Sequence, residues 1–130
     1  MPDRQTRGMR TVYPVFRYPD PQAAVDWLHA AFGFDAREVH RAPDGTIVHA
    51  ELVLDTGMVM LGRGPGPRMR PAEDDYAVYV AVDDVDAHHA RARTAGAEIV
   101  REPFDTDYGS RDYVARDLAG NIWSFGTYRP

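Results

Sequence analysis

The sequence predicts an α+β domain of two βαβββ modules, whose curved mixed sheets enclose a ligand cavity and carry their helices on the outer face. Three observations point there. The segment Tyr13-Pro-Val-Phe-Arg-Tyr-Pro-Asp20 aligns with Ala77-Val-Tyr-Val-Ala-Val-Asp-Asp84, and each reads as a short strand ending in an aspartate. A helical stretch then follows in each half and stops at a glycine, in Phe32-Gly33-Phe34 and again in Ala95-Gly96-Ala97. After each stop come three strand-like segments separated by turn residues.

In the first half, Asp20-Pro21 starts the helix. Aspartate is the N-cap, whose oxygen accepts from a first-turn amide, and proline sits where a missing N–H costs nothing. Ala24, Trp27, Leu28 and Ala31 recur at helical spacing as its apolar face, and Gly33 ends it as a left-handed cap. Strands are expected over 36–40, 46–54 and 58–62, with Asp44-Gly45 as a hairpin turn. In the second half, Asp83 or Asp84 caps a helix through His88, His89 and Arg93, and Gly96 ends it in the same way. Strands follow over 98–103, 111–117 and 121–127, with Ala119-Gly120-Asn121 as the last turn. Module one therefore spans 11–62 and module two 76–128. Between them, 63–75 is a linker, because Arg63-Gly-Pro-Gly-Pro-Arg-Met-Arg-Pro71 carries too much Gly and Pro for regular structure. Gly64-Pro65-Gly66 within it is no phosphate loop, since it lacks a strand-to-helix setting and a lysine.

Length and composition exclude several classes of function. With 130 residues, 44% hydrophobic and 27% charged, the chain fits one small domain and is too short for a typical dinucleotide-binding enzyme or an eight-stranded parallel barrel. No stretch approaches the about 18 apolar residues of a membrane span. The charged start from Met1 to Arg10 has no apolar run, so no membrane partner is expected and the cytoplasm is the expected location. The absence of cysteine excludes thiolate catalysis, disulfides and cysteine-held metals. All 15 basic residues are arginine, which excludes Schiff-base and phosphate-loop lysines. A net charge of −5 disfavours polyanions, and nucleic acid is not an expected partner.

Strand alternation divides the side chains between two faces. Phe16, Tyr18, Ala50, Leu52, Leu54, Val78, Val80, Val82, Trp123 and Phe125 form an apolar face expected to pack on the helices, and helical phasing puts Trp27 in the same core. The opposite face is expected to carry Tyr13, Val15, Arg17, His49, Glu51, Val53, Val59, Leu61, Ala77, Tyr79, Ala81, Tyr113, Ala115, Ile122 and Ser124. Small, aromatic and hydrogen-bonding side chains in that mixture suit a small organic ligand. Met69, Phe104 and Tyr108 are expected in loops that close the mouth of the cavity, where ring stacking and an adaptable thioether add contact. The expected ligand-binding residues are therefore Val15, Arg17, His49, Glu51, Leu61, Met69, Tyr79, Phe104, Tyr108, Tyr113 and Ser124. His49 and Glu51, two apart on one strand, admit a general base with its orienting carboxylate or a displaced pair of metal ligands. They equally admit a hydrogen-bonded patch that positions a ligand or bridges a dimer. His88-His89 reads as a solvated pair, because adjacent helical residues point about 100° apart.

The segments Val82-Asp83-Asp84-Val85-Asp86, Tyr108-Gly109-Ser110-Arg111 and Arg116-Asp117-Leu118-Ala119-Gly120-Asn121-Ile122-Trp123, with the paired modules, resemble the vicinal oxygen chelate superfamily. That group holds glyoxalases, extradiol dioxygenases, fosfomycin-modifying enzymes and bleomycin-resistance proteins, and the resemblance covers residues 11–128. The last segment matches the family's D-P-x-G-N turn with Leu118 in place of proline. Trp27-Leu28, Phe32-Gly33-Phe34 and His49-Ala50-Glu51-Leu52 look most like its small antibiotic-binding members. The resemblance implies a divalent metal held by His or Gln on a module's first strand and Glu on its last. Here those positions map to Tyr13, Ala77, Leu61 and Ser124, so neither a metal nor another cofactor is expected. What it implies instead is metal-independent binding and sequestration of a hydrophobic or aromatic small molecule, such as an antibiotic natural product, by a homodimer. Two alternatives stand beside it. One is a lyase, isomerase or dioxygenase-like enzyme using His49 and Glu51, and the other is a biosynthetic-pathway accessory protein.

Overall fold

The computed structural model describes residues 10–130. Strand β1 (Val15–Tyr18), helix α1 (Pro21–Phe32) and strands β2 (Asp35–Arg41), β3 (Ile47–Leu54) and β4 (Gly57–Arg63) make the first unit. Strand β5 (Val78–Ala81), helix α2 (Val85–Thr94) and strands β6 (Glu98–Asp105), β7 (Arg111–Arg116) and β8 (Ile122–Gly126) repeat it. Sheet one has the order β1-β4-β3-β2 and sheet two the order β5-β8-β7-β6. In each sheet the first strand runs parallel to the last and the remaining pairs are antiparallel. The chain is thus an α+β fold of two βαβββ units. Among the described residues, no helix is long and apolar enough to cross a membrane.

The helix boundaries follow from their caps. Asp20 accepts from the Ala23 amide at 3.2 Å, with Pro21 in the first helical position, and Gly33 at φ 87° closes α1. Of the two candidates for the second cap, Asp84 takes the role and accepts from Ala87 at 3.0 Å. Helix α2 ends differently from α1: Ala95 stays right-handed at φ −80°, and the left-handed residue is Gly96, one position further. Phe104 lies within β6 and not in a loop, because the strand runs two residues beyond the expected end.

Both helices and the helix-facing sides of both sheets share one core. Phe16 of β1 stacks on Trp123 of β8 at 4.7 Å, and Phe32 of α1 meets Phe125 of β8 at 4.6 Å. Trp27 reaches across the units to donate its indole N–H to the Ala95 carbonyl at 3.0 Å. The C-terminus of α1 leaves carbonyl acceptor capacity that its own helical and capping bonds do not fill, and α2 supplies donors to it. Arg91 donates to the His29 and Ala30 carbonyls, and His88 Nε2 donates to the Phe32 carbonyl at 2.8 Å. With Nε2 carrying the proton, His88 Nδ1 accepts from the Tyr113 hydroxyl. His88 is therefore a half-buried cross-link between the helices and not the solvated side chain expected from its sequence neighbourhood.

Cross-strand register corrects the face expected for four residues. In β4, Val59 pairs with Leu52, and Leu61 pairs with Ala50 and Phe16, so Val59 and Leu61 belong to the core. In β7, Tyr113 pairs with Phe125 and Ala115 with Trp123, which buries both beneath the helices. The cause is geometric: directly opposed residues of a sheet share a face, and the two-residue turn Asp55-Thr56 sets the pairing of β3 with β4.

The junction of the units is organised by Asp117, in the turn between β7 and β8. Its Oδ1 accepts from the Ala119 and Asn121 amides, both at 3.0 Å. Its Oδ2 accepts from Tyr18 at 2.7 Å, Trp123 Nε1 at 3.0 Å and Asn121 Nδ2 at 3.1 Å. Tyr18 ends β1, so this carboxylate ties the first strand of one unit to the last turn of the other. Burial, reinforced by the Asp117 charge, pushes the Tyr18 hydroxyl far above the ordinary phenol range and keeps it a donor.

Two outcomes follow from these contacts. A bond to a charged acceptor contributes roughly 1.5–3 kcal/mol, and each orphaned buried donor costs about 1–3 kcal/mol. Asp117→Ala is therefore expected to lower the unfolding free energy in urea by at least about 3 kcal/mol, and Tyr18→Phe by about 1.5 kcal/mol. Burial lowers the pKa of His88 from its ordinary value of 6.5. Between the folded and unfolded values the unfolded chain binds more protons, so stability falls as pH falls below about 6.5. Urea midpoints at pH 7.5 and 5.5 are expected to differ more in the parent protein than in His88→Gln.

Candidate ligand-binding site

Each sheet has a second face that no helix covers. On sheet one, register arranges that free face in rows across the strands. Arg17 pairs with Gly62, Gly62 with His49, and His49 with His40. The next row is Val15, Met60, Glu51 and Glu38, and beyond it lie Met58 and Val53. Four of the residues expected to bind ligand, Val15, Arg17, His49 and Glu51, are thereby brought together. His40 Nε2 stands 3.1 Å from Glu38, and His49 Nε2 stands 3.7 Å from Glu51. The face is open, with Val15 48% exposed. Neighbouring thioethers and valines give it an adaptable apolar half beside a polar one.

The free face of sheet two is largely closed by the chain itself. Ile122 and Val114 are buried on it, and Arg116 donates to the carbonyls of Pro71 and Gly120, so the linker lies across one end. At the other end, Asp112 accepts from Ser110 at 2.8 Å and from Tyr79 at 3.0 Å, while the Tyr79 oxygen accepts from the Tyr128 amide at 3.0 Å. Gly126 beneath them has no room for a side chain, since a Cβ there would overlap the Asp112 carboxylate and the Tyr79 hydroxyl. Desolvation raises the pKa of Tyr79, which keeps it protonated in this chain of bonds. Ser124 is half-buried beside Tyr79.

The remaining expected residues are not brought to either row. Leu61 and Tyr113 are core side chains, as described above. One face of the Phe104 ring is occupied by the Arg101 guanidinium at 3.7 Å. Tyr108 packs edge-on against Tyr128 at 5.6 Å, and Met69 is 82% exposed in the linker. A cleft of about 350 Å³ runs between the units, lined by Pro14, Phe34, Leu54, Met58, Val78 and Val80, with Tyr79 at its border. Arg129 stands at its rim, 3.2 Å from Asp83 and 3.6 Å from Asp55.

The positions mapped for a divalent metal do not supply one with ligands. Tyr13 donates its hydroxyl to the Arg10 carbonyl, Leu61 is in the core, Ala77 has no donor, and Ser124 offers one neutral oxygen. Such ions need several nitrogen or oxygen donors converging within bonding distance. Among the described residues, no group of three or more His, Asp or Glu side chains is arranged to hold one.

The profile of the Glyoxalase/Bleomycin resistance protein/Dioxygenase superfamily matches residues 10–125. The chain belongs to that superfamily. It is 35% identical over 117 residues to an uncharacterized protein of Mycobacterium bovis, covering 82% of this chain and 76% of that protein. Among solved structures, TioX from Micromonospora sp. ML1 is 38% identical with a TM-score of 0.75, over 93% of this chain and 98% of TioX. The fosfomycin resistance protein FosX from Mesorhizobium loti shares the fold at 18% identity and a TM-score of 0.69, over 93% of each chain.

Sequence reasoning missed Glu38, His40, Met58 and Met60 on the free face of sheet one. The signal that finds them is the two-residue turn after Leu54: it pairs Leu54 with Gly57, and counting back places Met58 and Met60 opposite Val53 and Glu51. The crowded glycine provides a check on the geometry of sheet two. Gly126→Ala is expected to cost about 2–3 kcal/mol in thermal denaturation. At Gly57 an added Cβ comes no closer than 3.4 Å to any atom, and Gly57→Ala is expected to change stability by less than about 1 kcal/mol.

Proposed function

We propose that this protein binds and sequesters a hydrophobic or aromatic small molecule without a metal, with an antibiotic natural product as the ligand class, as a homodimer in the cytoplasm. The observation that carries this reading is the open free face of sheet one, where Val15, Val53, Met58 and Met60 adjoin Arg17, His49 and Glu51. Apolar contact area beside a few fixed polar groups is the usual make-up of a small-molecule site. The side chains at Tyr13, Leu61, Ala77 and Ser124 support binding without a metal, because they do not make a ligand set. The fold shared with a protein named for fosfomycin resistance supports the antibiotic class. A second copy laid over sheet one by a twofold axis would enclose a face that a single chain leaves open, which supports the dimer.

The test is calorimetric titration with a panel of anthraquinone, enediyne, glycopeptide and flavin-like compounds, with and without EDTA, followed by mass analysis of the recovered compound. Saturable binding of one ligand per chain with Kd below about 100 μM, equivalent to about −5.5 kcal/mol, is expected, unchanged by EDTA and with the compound intact. Absence of saturable binding across the panel overturns the reading. A compound recovered altered overturns it in favour of an enzyme using His49 and Glu51. Sedimentation equilibrium is expected to return twice the mass of the chain.

A further inference from the structure

The free face of sheet one has a polarity that runs along its strands, with Arg17 at its polar end. Arg17 lies along two glycines. A Cβ on Gly64 would stand 3.2 Å from the Arg17 Cβ, and one on Gly62 would stand 3.2 Å from its Nη1 and 3.7 Å from its Cζ. Two missing side chains thus make a seat for the stem and the guanidinium. Gly62 is the shared cross-strand partner of Arg17 and His49, so the guanidinium and the imidazole border one bare patch of backbone. The acidic side chains of this face already stand beside imidazoles: Glu38 by His40, Glu51 by His49, and Asp35, the cross-strand partner of Val53, by His29. Arg17 makes no hydrogen bond or ion pair among the described residues. Many arginines elsewhere are engaged: Arg111 by Asp86 and Asp105, Arg129 by Asp55 and Asp83, Arg93 by Glu102. One row further along the strands the surface turns to Val15 and Met60, and then to Met58 and Val53.

We infer that the ligand of this face is an amphiphilic anion: a planar apolar body that lies over Val15, Met60, Met58 and Val53, with a carboxylate-type head group docked on Arg17 beside His49. The inference rests on the proposed small-molecule function and adds the chemistry that selects the ligand. A guanidinium presents a planar fork of donors matched to a carboxylate, and bonds between the two charged groups are stronger than neutral ones. Seating it on glycine backbone fixes its position before the ligand arrives, so less freedom is lost on binding. The apolar rows then accept the body of the ligand in one orientation only, with its head toward Gly62.

The probes are 2-naphthoate and 2-naphthamide, which share one aromatic body and differ in the charge of the head. Calorimetric titration at pH 7.5 is expected to show naphthoate binding at least tenfold more tightly than naphthamide. Arg17→Gln is expected to weaken naphthoate to the level of naphthamide while leaving naphthamide unchanged, and Arg17→Lys to retain part of the preference. Gly62→Ala, which crowds the guanidinium from below, is expected to reduce the preference without changing Arg17 itself. Equal binding of the two probes overturns the inference while the small-molecule function stands, as does naphthoate affinity that Arg17→Gln leaves intact. Failure of both probes to bind while a compound of the wider panel still binds overturns the inference alone, and failure of the probes and the panel alike overturns the reading on which it rests as well.

Discussion

A single buried carboxylate holds the two halves of this protein in register. Asp117 is 7% exposed and accepts from five donors, two of them backbone amides of its own turn and one from the far end of the chain. An unpaired carboxylate in that position would be costly to bury, whereas a fully satisfied one specifies which groups must surround it. Tyr18 can reach it only if β1 lies against the β7–β8 turn, and Trp123 can reach it only with its ring in the core. The aromatic contacts around Phe16, Phe32, Phe125 and Trp123 therefore follow from the same placement that satisfies the charge.

Joining the units through their helix-facing sides decides where function can reside. Once both helices and both apolar faces are spent on one core, what is left is the free face of each sheet. Sheet two fills its own: the linker reaches Arg116, and Ser110, Asp112, Tyr79 and the Tyr128 amide form a closed chain of bonds over Gly126. Sheet one keeps its face open, and there the chain gathers thioethers, valines, two imidazoles and an arginine. The asymmetry between repeated units is thus a consequence of the linker and the C-terminal residues, which lie against one unit more than the other.

The repeated architecture is legible in the sequence because each unit announces itself with Asp caps, glycine stops and strand segments of fixed order. Asp20, Asp84 and Gly33 perform the roles their positions dictate. The turn Asp117-Leu-Ala-Gly-Asn121 is legible as a motif, yet the reason for its aspartate is not, since Tyr18 lies 99 residues away from it. Face assignment was legible for β1 and β8 and failed for β4 and β7. In those strands both alternating sets contain apolar side chains, so hydrophobicity alone does not choose between Leu61 and Met60, or between Tyr113 and Val114. Pairing across the turns does choose, because a one-residue slip exchanges the two faces. His88 shows the same limit: two adjacent histidines on a helix read as a solvated pair in sequence, yet both are half-buried, His88 bonding to Phe32 and Tyr113 and His89 packing edge-on against Tyr113.

If Asp117 couples the units, they open together. Native-state hydrogen exchange of the parent protein reads this directly, by comparing amides of β3 and β4 with amides of β7 and β8 as denaturant is raised. The account predicts that the slowest amides of both sheets share one opening free energy and one denaturant dependence. Two separate values, with one sheet exchanging while the other stays protected, would contradict it.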